Sequence, residues 1–166
     1  IFRTSMNPYK PFGSLASPEH GQAGRKIGEE GIVLLQNKDN VLPIDLKKAR
    51  KIAVIGENAI KMMTVGGGSS SLKVKYEISP LDGLKNRVGS QAEVLYARGY
   101  VGDPTGEYNG VQTGQDLKDD RSEDELLAEA VEVSKDADYV IFFGGLNKSN
   151  HQDCEDSDRA SLGLPY

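Results

Sequence analysis

The chain has 166 residues, of which 37% are hydrophobic and 27% charged, a composition typical of one folded domain rather than of a disordered chain. Its net charge of -5 argues against general nucleic-acid binding, because neutralising phosphates requires a basic face. No apolar run approaches the roughly 20 residues that a membrane helix needs, and the single cysteine, Cys154, excludes an internal disulfide and a zinc site built on paired cysteines.

The amino-terminal part predicts a connector, a helix and a short strand. Residues 1–16 carry aromatic residues and prolines without any periodicity, so we expect an extended connector. Ser17-Pro18-Glu19 then supplies a helix cap, a proline at the first helical position and an acid near the positive end of the helix dipole. The glycines within this helix predict close packing against another element, and Ile-Val-Leu-Leu at 32–35 predicts a short buried strand.

The middle of the chain predicts a strand, a helix and a second strand. Residues 51–56 are apolar on both faces, as in a parallel sheet, and a flexible Gly/Ser-rich loop follows at 66–71. Ser79-Pro80-Leu81-Asp82 begins a helix that ends near Gly89. Residues 92–97 form the next predicted strand.

The last third predicts a helix and a third strand. After a polar, Gly-rich stretch at 99–120, where we expect a long loop, Ser122 to Glu125 forms a capping box ahead of an amphipathic helix. Residues 137–144 predict a strand buried on both faces. The alternating order predicts an α/β fold, a three-layer sandwich with a mostly parallel sheet and helices on both faces, truncated at its C-terminal side.

Three segments follow the predicted strands, at the sheet edge where open parallel sheets bind ligands. They are 56–58, 66–71 and 144–159. The last segment is the richest in reactive groups, which are Asn147, Lys148, Asn150, His151, Asp153, Cys154, Glu155, Asp156, Asp158 and Arg159.

The residue types alone leave several interpretations of these segments open. A metal site would use His151, Asp153 and Glu155, a general acid or base would be one of the acidic or imidazole groups, and a solvated acidic loop paired with Arg159 needs neither. Cys154 is a weak nucleophile candidate. Nucleotide binding is disfavoured, because 56–58 lacks the G-x-G-x-x-G spacing and 66–71 lacks the lysine of a phosphate loop.

Several ordered segments resemble signatures of glycoside hydrolase family 3. Residues 29–44 resemble "E-S-I-V-L-L-K-N … L-P-L", and residues 51–56 with 66–70 resemble "K-I-A-V-I-G-P-N-A … G-G-G-S". Residues 79–84 match "S-P-L-E-G-L", and residues 138–165 match a strand followed by "E-G-x-D-R-x-x-L-x-L-P". Gly31 departs from the serine that commonly precedes the I-V-L-L run.

The resemblance implies a domain of a larger enzyme. Such enzymes pair a barrel that carries an Asp nucleophile with an α/β sandwich whose loop supplies a Glu acid/base. Residues 1–16 would then be an interdomain linker and 17–166 a partial sandwich domain. Glu155, at the head of Glu-x-x-Asp-Arg, is implied to be the catalytic acid/base, with Asp153 and Asp156 as alternatives if the loop is registered differently.

The resemblance also implies roles for the neighbours of Glu155. We expect substrate-binding or loop-ordering roles for His151, Asp153, Asp158, Arg159, Gly67, Gly68 and Ser69. The negative charge of Asp153, Asp156 and Asp158 would favour the protonated acid that Glu155 must be, whereas Arg159 would oppose it.

The implied partners are a β-linked glycoside substrate, with glucose and xylose undecided, and the barrel domain, but neither nucleic acid nor membrane. No metal or organic cofactor is needed, and the resemblance suggests a periplasmic or secreted location. Since the barrel is absent, we expect the chain alone to be inactive. The alternatives are a non-catalytic carbohydrate- or partner-docking module and a nucleotide binder.

Overall fold

The computed structural model describes residues 2–9, 13–63, 74–102, 117–147, 158–159 and 161–164. The chain divides into two compact units, residues 1–41 and 42–166. The predicted boundary between residues 16 and 17 differs from this division and stays a prediction about the parent's domains. Among the described helices, none combines the length and the apolar character that crossing a bilayer requires.

The described residues of the first unit form two α-helices, α1 (Phe2–Ser5) and α2 (Pro18–Gly31), and a 3-10 turn (Lys38–Asn40). The helical turn α1, with a hydrogen bond from the Met6 backbone N–H to the Phe2 carbonyl at 3.0 Å, departs from the extended connector that we predicted. The start of α2 is confirmed, because the Ser17 hydroxyl accepts a hydrogen bond from the His20 backbone N–H at 3.4 Å.

Two predictions about the first unit are wrong. No residue of α2 is buried, and a Cβ added at Gly24 or Gly28 would meet no atom within 4 Å, so the glycines do not mark close packing in this unit. Residues 32–35 form no strand and their side chains are exposed, because the described part of this unit offers no second strand for pairing. Exposed i,i+4 ion pairs support α2 instead, with Arg25 to Glu29 at 2.7 Å and Lys26 to Glu30 at 3.7 Å.

The second unit is built on a three-stranded parallel sheet with the order β2-β1-β3. The strands are β1 (Lys51–Ile55), β2 (Glu93–Ala97) and β3 (Tyr139–Phe142). Ile52 lies opposite Val94 on one side and Tyr139 on the other. The central strand β1 is buried on both faces from Ile52 to Ile55, as its continuous apolar run predicted.

Helices α3 (Pro80–Val88) and α4 (Glu123–Lys135) cover opposite faces of this sheet. Ile52 and Val54 pack in one core cluster with Leu81 and Val88 of α3. On the other face Ile55 and Ala97 pack with Ala130 of α4. Right-handed crossovers explain why the two helices lie on opposite faces. In the order β2-β1-β3, the chain crosses the sheet in one direction from β1 to β2 and in the opposite direction from β2 to β3, so the two connecting helices pack on different sides. The predicted α/β fold with helices on both faces is confirmed.

The capping residues of both helices act as the sequence predicted. The Ser79 hydroxyl accepts from the Asp82 backbone N–H at 3.1 Å, and α3 ends at Gly89, which has φ +57°. At α4 the Ser122 hydroxyl accepts from the Glu125 backbone N–H at 3.3 Å, while the Glu125 carboxylate accepts from the Ser122 backbone N–H at 2.8 Å.

The third strand corrects the prediction of burial on both faces. Tyr139 and Ile141 pack against the core on the α3 side, but Val140 and Phe142 are 52% and 60% exposed. Helix α4 packs over Ile55 and Ala97, which belong to the other two strands. The α4-side face of β3 therefore remains open in the described residues.

Gly56 generates a test of how the strand ends are packed. Its φ is +123°, and an added Cβ would lie 2.2 Å from the Phe143 carbonyl oxygen. We expect Gly56→Ala to lower the free energy of unfolding by about 3 kcal/mol or more, from backbone strain and the clash together. Gly89→Ala is the comparison, since φ +57° and ψ −129° there also form a backbone conformation that favours glycine but a Cβ meets nothing within 4 Å, so it should cost the backbone strain alone, about 1–3 kcal/mol, and less than Gly56→Ala. If urea denaturation gave the two variants equal losses in the free energy of unfolding, the close packing of Gly56 against the Phe143 carbonyl would be contradicted.

Candidate functional site

The three segments that leave the carboxyl ends of the strands meet at one edge of the sheet. Residues Glu57–Ala59 form a 3-10 turn after β1. Residues 98–102 follow β2, and residues 143–147 follow β3. Parallel strands all end at the same edge, where α/β sheets place their ligand sites.

A buried carboxylate, that of Glu57, connects these segments. The residue is 1% exposed. Its Oε1 accepts hydrogen bonds from Lys61 Nζ at 3.0 Å and from Asn147 Nδ2 at 3.2 Å. Its Oε2 accepts from Arg98 Nη2 and from the Gly102 backbone N–H, each at 2.9 Å. The donors come from all three segments, so one side chain ties the whole edge together.

A second carboxylate, that of Asp119, pairs with Arg98. Its Oδ2 lies 3.2 Å from Arg98 Nη1 and 2.7 Å from Arg121 Nη2. The hydrogen bonds from Arg121, aided by the charge of Arg98, hold the pKa of Asp119 well below its usual range. Arg121 also pairs with Glu129 of α4 at 2.8 Å. Charge compensation therefore extends from the buried Glu57 to the surface of α4.

A second set of hydrogen bonds holds the segment that follows β3. Asn58 Nδ2 donates to the Gly145 carbonyl at 2.9 Å, and Asn147 Nδ2 donates to Asn58 Oδ1 at 3.0 Å. The Tyr100 hydroxyl donates to the Phe143 carbonyl at 2.7 Å. We call Glu57, Asn58, Lys61, Arg98 and Asn147 the Glu57 network. These residues fix the exit from β3 against the turn after β1.

Comparison with known proteins identifies the family. The model of the glycosyl hydrolase family 3 C-terminal domain matches residues 32–166. The chain belongs to this family. The expectation drawn from the ordered sequence signatures is thereby confirmed.

Curated relatives and solved structures agree with the family 3 assignment. The chain is 44% identical to the β-glucosidase BoGH3A of Bacteroides ovatus, covering 100% of the chain and 22% of that protein. It is 33% identical to a β-xylosidase of Formosa agariphila, covering 88% of the chain and 18% of that protein. A GH3 β-glucosidase structure from Bifidobacterium adolescentis superposes with a TM-score of 0.68 at 31% identity, covering 98% of the chain and 20% of that structure. The chain thus spans about a fifth of the length of these relatives.

Most predicted site residues of this family 3 domain lie outside the described residues. They are Glu155, His151, Asp153, Asp156, Gly67, Gly68 and Ser69. Of the others, Asp158 is exposed and Arg159 is half-buried. Their roles stay predictions. The described residues contain no group of three or more His, Cys, Asp or Glu side chains that could hold a metal ion.

Sequence reasoning missed the Glu57 network in this family 3 domain. The sequence places residues 56–58 at the ligand-binding edge of the sheet and disfavours nucleotide binding there, but it does not predict that the Glu57 carboxylate is buried and paired with Lys61 and Arg98. The available signal was a charged residue directly after a buried strand, with Lys61 four positions later and Arg98 directly after β2.

Neutralising Glu57 tests the importance of the buried carboxylate. Glu57→Gln leaves Lys61 and Arg98 without their shared anion in the interior, so the free energy of unfolding should fall by about 3–5 kcal/mol. Glu132→Gln, which removes an exposed partner of Lys135, is the control and should change it by less than about 1 kcal/mol. If urea denaturation gave the two variants similar losses in the free energy of unfolding, the buried ion pairs of Glu57 would contribute little to stability.

Asp119 predicts a specific pH dependence of stability. Because its pKa is lowered in the fold, its stabilising effect is complete above the unfolded value of about 3.9 and is lost as the pH falls through the folded pKa. We expect Asp119→Asn to lower the free energy of unfolding by about 1.5 kcal/mol at pH 7 and by progressively less below pH about 3.9. Asp120→Asn is the control, since Asp120 is exposed and lies 3.5 Å from Lys118. A pH-independent cost of Asp119→Asn would contradict the charge assignment.

Proposed function

We propose that this domain is part of an exo-acting retaining β-glycosidase and supplies its general acid/base, Glu155. One observation carries the proposal: the segment that contains Glu155 begins directly after Asn147, at the sheet edge where all three described strands end. The relatives named β-glucosidase and β-xylosidase support the substrate class, a terminal β-linked glucose or xylose.

The proposed chemistry needs two carboxyl groups roughly 5–5.5 Å apart. A carboxylate nucleophile from the barrel attacks the anomeric carbon, and the glycosidic C–O bond breaks as Glu155 donates its proton to the leaving oxygen. Glu155, now a carboxylate, then takes a proton from water, whose oxygen displaces the nucleophile and releases the sugar. The acid and the base are the same residue in successive steps.

The remaining predicted site residues support these steps in the proposal. His151, Asp153, Asp158 and Arg159 order the acid/base loop or contact the sugar. Gly67, Gly68 and Ser69 permit a close approach at the junction with the barrel. Because the proposed nucleophile belongs to the barrel, the chain alone should show no glycosidase turnover.

The full-length parent enzyme provides the test of the acid/base assignment. We expect Glu155→Ala to lower kcat/KM for an unactivated aryl β-glycoside by about 100-fold or more, because proton donation is lost. Added azide should restore the turnover of Glu155→Ala on a 2,4-dinitrophenyl β-glycoside, whose leaving group departs without a proton, and should yield the β-glycosyl azide, since azide attacks the glycosyl-enzyme intermediate without needing a base.

Asp153→Ala and Asp156→Ala are the matched controls, because they remove neighbouring carboxylates of the same segment. Azide rescue of one of these variants instead of Glu155→Ala would overturn the assignment. Full activity of all three variants would favour a non-catalytic docking module.

A further inference from the structure

The exit from β3 is held by side chains of the turn that follows β1. Phe143 makes the last ladder bond of the strand, with its N–H donating to the Ile55 carbonyl at 2.8 Å. Beyond it come Gly144 and Gly145, and Gly145 has φ +117°. Two consecutive glycines give a backbone wide conformational freedom. Something other than local backbone preference must therefore fix the path of this segment.

The amides of Asn58 and Asn147 provide that constraint. They are 5% and 4% exposed. Asn147 Nδ2 donates to both Asn58 Oδ1, at 3.0 Å, and Glu57 Oε1, at 3.2 Å. Asn58 Nδ2 donates to the Gly145 carbonyl at 2.9 Å. Each amide donates to a partner that can only accept, the Glu57 carboxylate for Asn147 and the Gly145 carbonyl for Asn58, so neither amide can rotate by 180° without losing buried hydrogen bonds.

The turn that carries Asn58 is itself rigid. The Ala59 backbone N–H donates to the Gly56 carbonyl at 3.1 Å, and the Ile60 N–H donates to the Glu57 carbonyl at 3.0 Å. Glu57 is held on its other side by Arg98 and Lys61. The asparagine pair thus connects the exit from β3 to a turn that is itself held by backbone hydrogen bonds and buried ion pairs.

We propose that Asn58 and Asn147 are positioning residues for the acid/base segment: they fix where the chain leaves the sheet and thereby aim Glu155. The inference rests on the proposed function of Glu155. Misplacement of a catalytic group by about 1 Å can cost about 100-fold in rate, even when the mutated residue is far from the reacting atoms. Without the asparagine hydrogen bonds, Gly144 and Gly145 would be free to change conformation, and we expect this to displace Glu155 by a comparable distance.

The leaving group of the substrate separates positioning of the acid from a general structural role. A phenyl β-glycoside needs a proton on the departing oxygen, whereas a 2,4-dinitrophenyl β-glycoside departs without one. The kcat/KM value reports bond cleavage up to the glycosyl-enzyme intermediate, so base catalysis of the later step does not enter. A loss of folded enzyme would reduce the two kcat/KM values equally.

The test uses the full-length parent carrying Asn147→Ala or Asn58→Ala, with Glu155→Ala in the same panel. The control is Gln91→Ala, which removes an amide that donates to the Val88 carbonyl at 3.2 Å before β2 begins, at the opposite edge of the sheet. We expect both asparagine variants to lose about 10-fold or more on the phenyl glycoside and less than about two-fold on the dinitrophenyl glycoside. Gln91→Ala should leave both values within about two-fold.

Equal losses on the two substrates, or no loss on either, would overturn the positioning role. If Glu155→Ala shows the selective loss but the asparagine variants do not, only this inference fails. If Glu155→Ala itself lacks the selective loss, the proposed function fails as well.

Discussion

The second unit depends on one buried interaction, the pairing of the Glu57 carboxylate with Lys61 and Arg98. Taking a carboxylate out of water costs several kcal/mol unless each oxygen receives charged or polar donors. The structure meets that requirement by drawing donors from the ends of all three strands. The same requirement therefore fixes the relative positions of the segments that leave β1, β2 and β3, the sheet edge at which α/β domains place their chemistry.

In this arrangement, the residues that hold the sheet edge in place differ from those proposed to carry out the chemistry. The side chains of the Glu57 network are buried and bond mainly to one another and to Asp119, with Arg98 Nε the one buried side-chain nitrogen or oxygen atom without a hydrogen bond in the described residues, so they are poorly suited to meet a substrate. The proposed chemistry lies instead in the following segment, whose starting point the network fixes. In the proposed function, the domain brings an acid to a nucleophile on another domain. That function needs a fixed starting point for the segment, because movement between the sheet and the carboxyl group lowers the fraction of time spent in a productive geometry.

Local patterns in the sequence were sufficient for the parts of the fold that local physics decides. Ser17, Ser79 and Ser122 begin helices where their capping signatures lie, and the apolar run of β1 is buried on both faces. Predictions from the sequence were wrong or incomplete where a residue's environment depends on partners that are distant along the chain. Val140 and Phe142 are apolar but exposed because α4 covers the other two strands, and residues 32–35 have no strand partner among the described residues of their unit. Glu57 was missed because its donors Arg98 and Asn147 lie 41 and 90 positions away.

The proposed mechanism requires the Glu155 carboxyl group to lie beside the bound sugar. A crystal structure of the full-length parent with its glycosyl-enzyme intermediate trapped would show its position. We expect the Glu155 carboxyl group roughly 5–5.5 Å from the carboxyl group of the nucleophile, on a segment anchored through Asn147. A trapped intermediate with another carboxyl group at that distance, and with Glu155 directed away from the sugar, would contradict it.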